Sequence, residues 1–113
     1  MKTEREIRKL ELSNGEVPFD LWFESLRDQK FQVAVDARLA RVRSGNFGDS
    51  KVVGDGVREL RIDKGPGLRI YYGLHGLQIV VLIGGGDKST QARDIPRARE
   101  LWKQFKAYAS KKI

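Results

Sequence analysis

The sequence predicts a small α+β fold: an N-terminal strand, a helical hairpin, a three-stranded antiparallel meander and a C-terminal helix. Three observations predict it. Residues 18–43 carry two apolar stripes at helical spacing, residues 57–83 hold three strand-like runs split by turn residues, and residues 96–110 carry a third stripe.

The first strand is expected over residues 5–12, ending at the turn signal Asn14-Gly15. Pro18 suits a first helical turn, where its missing N–H costs nothing. Phe19, Trp22, Phe23 and Leu26 then recur at i, i+3, i+4 and i+7. A second helix places Phe31, Val35, Leu39 and Val42 on one side, with Arg38, Arg41 and Arg43 on a solvated face, and Gly45 stops it. Two amphipathic helices joined by a short loop favour an antiparallel hairpin. Residues 46–56, with three glycines, read as a loop.

Strands are expected at 57–63, 67–74 and 77–83. The turn-forming Asp63-Lys-Gly-Pro-Gly67 makes a hairpin of the first two, and His75-Gly76 is a plausible two-residue turn between the others. Leu60, Ile62, Leu68 and Ile70 must share one core, which pairs Ile62 with Leu68 and Leu60 with Ile70. Arg61 then lies opposite Arg69, and Glu59 opposite Tyr71. The second turn would align Tyr72 with Ile79, Ile70 with Val81 and Leu68 with Ile83. The strand at 77–83 is apolar on both faces and belongs inside the sheet. The last helix is expected from Pro96 to Ser110, with Ala98, Leu101, Trp102, Phe105 and Tyr108 in its stripe. Trp22, Phe23, Trp102 and Phe105 read as core.

At 113 residues, with 40% hydrophobic and 33% charged residues, the chain fits one soluble domain. No apolar run approaches the roughly 20 residues of a membrane helix, and the charged Met1-Lys-Thr-Glu-Arg stretch does not look like a signal peptide. With no cysteine there is no thiol nucleophile or thiolate metal site, and a cytoplasmic protein is expected. The net charge is +7. Residues 1–45 hold nine Lys/Arg against eight Asp/Glu, and residues 46–113 hold thirteen against seven. The excess lies in the half with the arginine hairpin, which favours a polyanionic partner.

The lone histidine, His75, falls in a turn, so His-based nuclease and Ser-His-Asp chemistries lack their parts. Gly84-Gly-Gly-Asp-Lys-Ser89 resembles a Walker loop only superficially, since Asp87 stands where the last glycine belongs. Its glycines would let the chain turn out of the strand and bring Lys88 beside Arg69. Arg61, Arg69 and Lys88 are therefore the candidate catalytic cations. Tyr71, Arg58, Lys51 and Arg93 are the candidate substrate contacts. Arginine grips phosphate bidentately, and RNA carries its own nucleophile in the 2′-hydroxyl, so cations plus one proton-transfer group can suffice. Alternatively, Arg61 pairs with Glu59 or Asp63 on a solvated surface and Tyr71 packs under the last helix.

Pro18-Phe-Asp-Leu-Trp-Phe-Glu-Ser-Leu-Arg-Asp28, Ser44-Gly-Asn-Phe-Gly-Asp49, Gly56-Val-Arg-Glu-Leu-Arg-Ile62, Gly67-Leu-Arg-Ile-Tyr-Tyr72 and Gly84-Gly-Gly-Asp-Lys-Ser-Thr-Gln91 resemble the RelE/ParE toxin superfamily. The likeness is to its HigB-like, phage-derived "addiction module killer" branch of type II toxin–antitoxin systems, over residues 5 to 110. It implies a RelE-like fold and a metal-independent endoribonuclease that cuts mRNA on the ribosome. It carries Arg69, Arg61 and Lys88 onto the basic positions of the family's sheet. No cofactor is implied. The implied partners are the ribosome with its mRNA and a cognate helix-turn-helix antitoxin in a hetero-oligomer. ParE-type relatives share the fold but poison DNA gyrase, so fold alone does not fix the activity.

Overall fold

The computed structural model describes residues 4–111, so Met1–Thr3 of the charged N-terminus lie outside the described residues. The elements are β1 (Glu6–Lys9), α1 (Pro18–Ser25), α2 (Gln29–Arg43), β2 (Ser50–Gly54), β3 (Val57–Ile62), β4 (Leu68–His75), β5 (Ile79–Asp87), a 3-10 turn (Lys88–Thr90) and α3 (Gln91–Lys111). The five strands form one mixed sheet in the order β1-β5-β4-β3-β2. All neighbours are antiparallel except β1, which runs parallel beside β5.

Side chains of a strand alternate between faces, and here both faces are covered. Leu60, Ile62, Leu68, Ile70, Tyr72, Val80 and Leu82 pack with Phe19 of α1 and Val35, Leu39 and Val42 of α2. On the opposite face Val57, Tyr71, Val81 and Ile83 lie under Ala98, Leu101 and Trp102 of α3. Trp22, Phe23 and Phe105 are half-buried against these clusters. Pro18 opens α1, and Asp28 caps α2 by accepting from the Lys30 N–H at 2.9 Å.

β3 and β4 pair in the forced register, with Leu60 opposite Ile70, Ile62 opposite Leu68 and Arg61 opposite Arg69. The pairing of β4 with β5 differs from the expected one. His75 pairs with Ile79, so the connection is Gly76–Gln78 and the register moves by three residues. An odd shift exchanges the two faces of β5, sending Ile79, Val81 and Ile83 toward α3. Both of its sets are apolar, so burial alone could not choose between them. A bulge follows: Tyr71 pairs with Gly84 and Tyr72 with Leu82, which leaves Ile83 as the extra residue.

Further corrections have local causes. The first strand is confined to Glu6–Lys9. Residues 46–56 hold a short edge strand, β2, between glycines. Gly84, Gly85 and Gly86 do not turn the chain but continue β5. They admit close neighbours: a Cβ on Gly85 would lie 2.2 Å from the Trp22 ring, and one on Gly86 would lie 1.9 Å from the Asp94 carboxylate. α3 begins at Gln91, five residues before Pro96. Its entry is held by Asp87, which accepts from the Ser89 N–H at 2.8 Å, and by the hydrogen bond from Thr90 Oγ1 to Asp94. Arg38 does not join a solvated face; it is buried, because 35, 38, 39 and 42 form the inward side of α2. Its Nε and Nη1 have no hydrogen-bond partner, and the 44–49 loop covers it at Gly48.

Gly73 has Trp102 where a side chain would be, with ring atoms 2.5 Å from an ideal Cβ. Gly73→Ala should therefore cost about 2 kcal/mol, the usual penalty for overpacking. In urea unfolding the midpoint should fall while the slope stays unchanged.

Candidate functional site

The β3–β4 register puts Glu59, Arg61, Arg69 and Tyr71 on one sheet face, and β2 adds Lys51 directly opposite Glu59. This is the face that α3 covers farther along. β5 ends at Asp87 opposite Leu68, and the next residue, Lys88, donates its backbone N–H to the Gly67 carbonyl at 2.9 Å. Gly67 sits between two cations: a Cβ there would meet Lys88 Cβ at 3.3 Å and Arg69 Nη1 at 3.4 Å. At φ +82° it adopts a conformation that side-chain-bearing residues rarely take. The structure thus brings Arg61, Arg69 and Lys88 to one end of the sheet, with Lys51 on the same face of its edge strand.

Adjacent arginines repel, and each is matched by its own carboxylate. Arg69 is only 11% exposed; its Nε lies 3.7 Å from Glu59 Oε1, and its Nη1 donates to the Leu68 carbonyl at 3.1 Å. Glu59 is fully buried, and its other oxygen, Oε2, accepts from Gln91 Nε2 at 2.8 Å. Arg61 is 39% exposed and pairs with Asp49 at 3.0 Å. Its backbone N–H also donates to the Asp49 carbonyl at 2.9 Å, so Asp49 holds both ends of that residue. The expected Glu59 or Asp63 partner of Arg61 is thereby corrected to Asp49. Glu59 is buried with its two oxygens turned to Arg69 and Gln91, so it is not placed to reach a substrate proton and is set aside as a general base.

Tyr71 shares the arginine face but is buried under α3, where no base can stack on it. Its buried hydroxyl lies beside the Glu59 carboxylate. Burial, followed by the Glu59 and Asp94 charges, raises its pKa above the usual tyrosine value. Arg58 falls on the other face, opposite Tyr72 and Val52, and does not join the cluster. Arg93 is 76% exposed on the first turn of α3 and paired with Asp94 at 3.1 Å, so it stands at the rim. His75 is exposed at the end of β4 with its ring edge-on to Phe105. Asp49 and Gln91 stood in the sequence without a signal for their roles, since each acts through a partner distant in the chain.

A groove of about 770 Å³ lies between residues 10–14 and α3, bordered by Leu12, Leu101 and Phe105, and none of the clustered cations lines it. A smaller hollow of about 120 Å³ is lined by Tyr71, Gly84, Asp94 and Arg97. Among the described residues no group of three or more His, Asp or Glu side chains could hold a metal ion. The chemistry on offer is cationic: a fixed guanidinium, a second one on an exchangeable carboxylate, and an exposed ammonium. Such a set binds and stabilises phosphate oxyanions.

No family model matches the chain. It is 46% identical over 83 residues to an uncharacterized protein of Haemophilus influenzae (strain ATCC 51907 / DSM 11121 / KW20 / Rd), a match covering 74% of this chain and 84% of that protein.

Because its pKa is raised on folding, Tyr71 contributes stability that is whole below its unfolded value of about 10 and declines as the pH rises beyond it. The unfolding free energy should fall between pH 9 and 11. Tyr71→Phe should fall less steeply over the same range in urea titrations at each pH.

Proposed function

This chain belongs to the same family as that Haemophilus influenzae protein, and we propose that it is a toxin of a type II toxin–antitoxin system, an endoribonuclease that cuts mRNA on the ribosome. The observation that carries the reading is Arg61 opposite Arg69, with Lys88 joined to Gly67 beside them. The RelE/ParE-type arrangement, with its helical hairpin and meander, is part of the same proposal. It is supported by α1 and α2 sharing one sheet face and by β3, β4 and β5 pairing in sequence. So is a cytoplasmic site of action; among the described residues no helix is long and apolar enough to cross a membrane.

In this mechanism the RNA 2′-oxygen attacks the adjacent phosphorus, the bond from phosphorus to O5′ breaks, and a 2′,3′-cyclic phosphate and a 5′-hydroxyl result. Arg69, fixed by Glu59, and Arg61 hold the negative charge of the five-coordinate phosphorus. The Lys88 ammonium gives a proton to the leaving O5′, and the 2′-hydroxyl proton passes to water. Ribosomal RNA is the natural complement of a +7 chain. The antitoxin, a helix-turn-helix protein in a hetero-oligomer with this chain, would act by covering or distorting the basic end.

A second reading, a ParE-like inhibitor of DNA gyrase without nuclease activity, draws on one observation. Tyr71 is buried, so the site has lost its candidate base-stacking ring.

The test is induction in bacterial cells lacking the antitoxin, with new mRNA 5′ ends mapped by primer extension. Cuts inside translated codons should appear and should vanish for Arg69→Ala. Arg69→Lys keeps the charge but loses the bidentate fork, and should cut about a hundredfold more slowly while still binding ribosomes. Growth arrest with DNA-damage induction and no cuts would move the assignment to gyrase poisoning.

A further inference from the structure

Glu59 presents an unusual arrangement for a sheet residue. It is fully buried, opposite Lys51 on one side and Tyr71 on the other, and its two oxygens are divided between two groups. Oε1 faces Arg69 Nε at 3.7 Å, and Oε2 accepts from Gln91 at 2.8 Å. A buried ion pair is a weak device for stability, since an apolar pair of similar size would usually serve as well. What the arrangement does supply is orientation. Arg69 Nε is buried without a hydrogen bond, and its Nη1 is spent on the carbonyl of the preceding residue, Leu68. The Glu59 charge and the Leu68 carbonyl together steer the guanidinium from the protein side, and Glu59 is the side chain of the two. The carboxylate can turn about its last torsion, and the hydrogen bond from Gln91 restrains it. Gln91 is the first residue of α3, so the start of that helix fixes a side chain on β3 that in turn aims one on β4.

We propose that Glu59 and Gln91 are positioning residues that hold the Arg69 guanidinium in its phosphate-binding orientation; this rests on the ribonuclease reading above. Neither residue touches the RNA. Gln91 acts through Glu59, and Glu59 acts through Arg69.

The test is cleavage of mRNA on programmed ribosomes by the purified full chain, measured as a single-turnover rate at saturating ribosomes. The set is the wild type, Gln91→Leu, Arg69→Lys, which keeps a measurable rate, and the double variant, with Gln91→Asn as a polar replacement too short to reach Glu59. Both Gln91 variants should cut about tenfold more slowly, as expected when a reacting group is misplaced, with ribosome affinity unchanged within twofold. In the Arg69→Lys background, where there is no guanidinium fork to aim, the Gln91 change should cost less than about twofold. A Gln91→Asn rate equal to the wild type would overturn the positioning role alone. So would an equal loss in both backgrounds, because that is what general weakening of the fold produces. If Gln91→Leu does not fold, Gln91→Asn carries the same comparison. A wild type that makes no cuts overturns the ribonuclease reading and this inference with it.

Discussion

Leu60 and Ile62 of β3 and Leu68 and Ile70 of β4 can enter one core only in a single register, and that register governs the rest of the molecule. It fills the α1–α2 side with aliphatic groups. It leaves Glu59, Arg61, Arg69 and Tyr71 on the other side, where α3 covers two of them and leaves the end of the sheet accessible. A slip of one residue would bury the arginines among leucines and isoleucines. The hydrophobic requirement on one face therefore enforces an electrostatically awkward pairing on the other, and the protein answers it with two separate carboxylates.

The depth of α3 divides this face into a part buried under the helix and a cationic end that the helix leaves uncovered. Its first residue is Gln91 rather than Pro96, so its opening turn lies over Glu59 and Tyr71. Asp87, Thr90 and Asp94 fasten that entry, and the backbone of Gly86 lets Asp94 come close. The proline sits within the helix, where it removes one backbone hydrogen bond. The polar anchors on either side of it hold the helix to the sheet despite that loss.

Much of the sheet could be read from the chain because alternation is informative where one set of positions is apolar and the other is not. β3 and β4 meet that condition, and their pairing was legible residue by residue. β5 does not, since Val80 and Leu82 are as apolar as Val81 and Ile83, and its register escaped. β2 was hidden by its length and its flanking glycines. Arg61 and Arg69 were legible together because the β3–β4 alternation places them. Lys88 was expected beside them through a turn at the glycines, and arrives instead at the end of a β5 that runs straight through Gly84–Gly86. Two readings of Tyr71 stood open, a base-stacking ring and a ring packed under the last helix, and the structure takes the second. Gln91 and Asp49 were invisible in their roles, as a polar residue that serves a distant partner leaves no local pattern.

Arg61 does not wait empty-handed. Asp49 holds its guanidinium at 3.0 Å and its backbone N–H at 2.9 Å, on a loop that also roofs Arg38. Any anion arriving there would have to take the guanidinium from a carboxylate, so its affinity at this point would be a difference between two anions rather than the worth of one. The displaced Asp49 side chain would then be left beside the incoming anion, while its backbone stayed tied to β3. Occupancy at Arg61 is thereby coupled to the 44–49 loop: an anion bound at the sheet end changes what the loop over α2 has to hold on to.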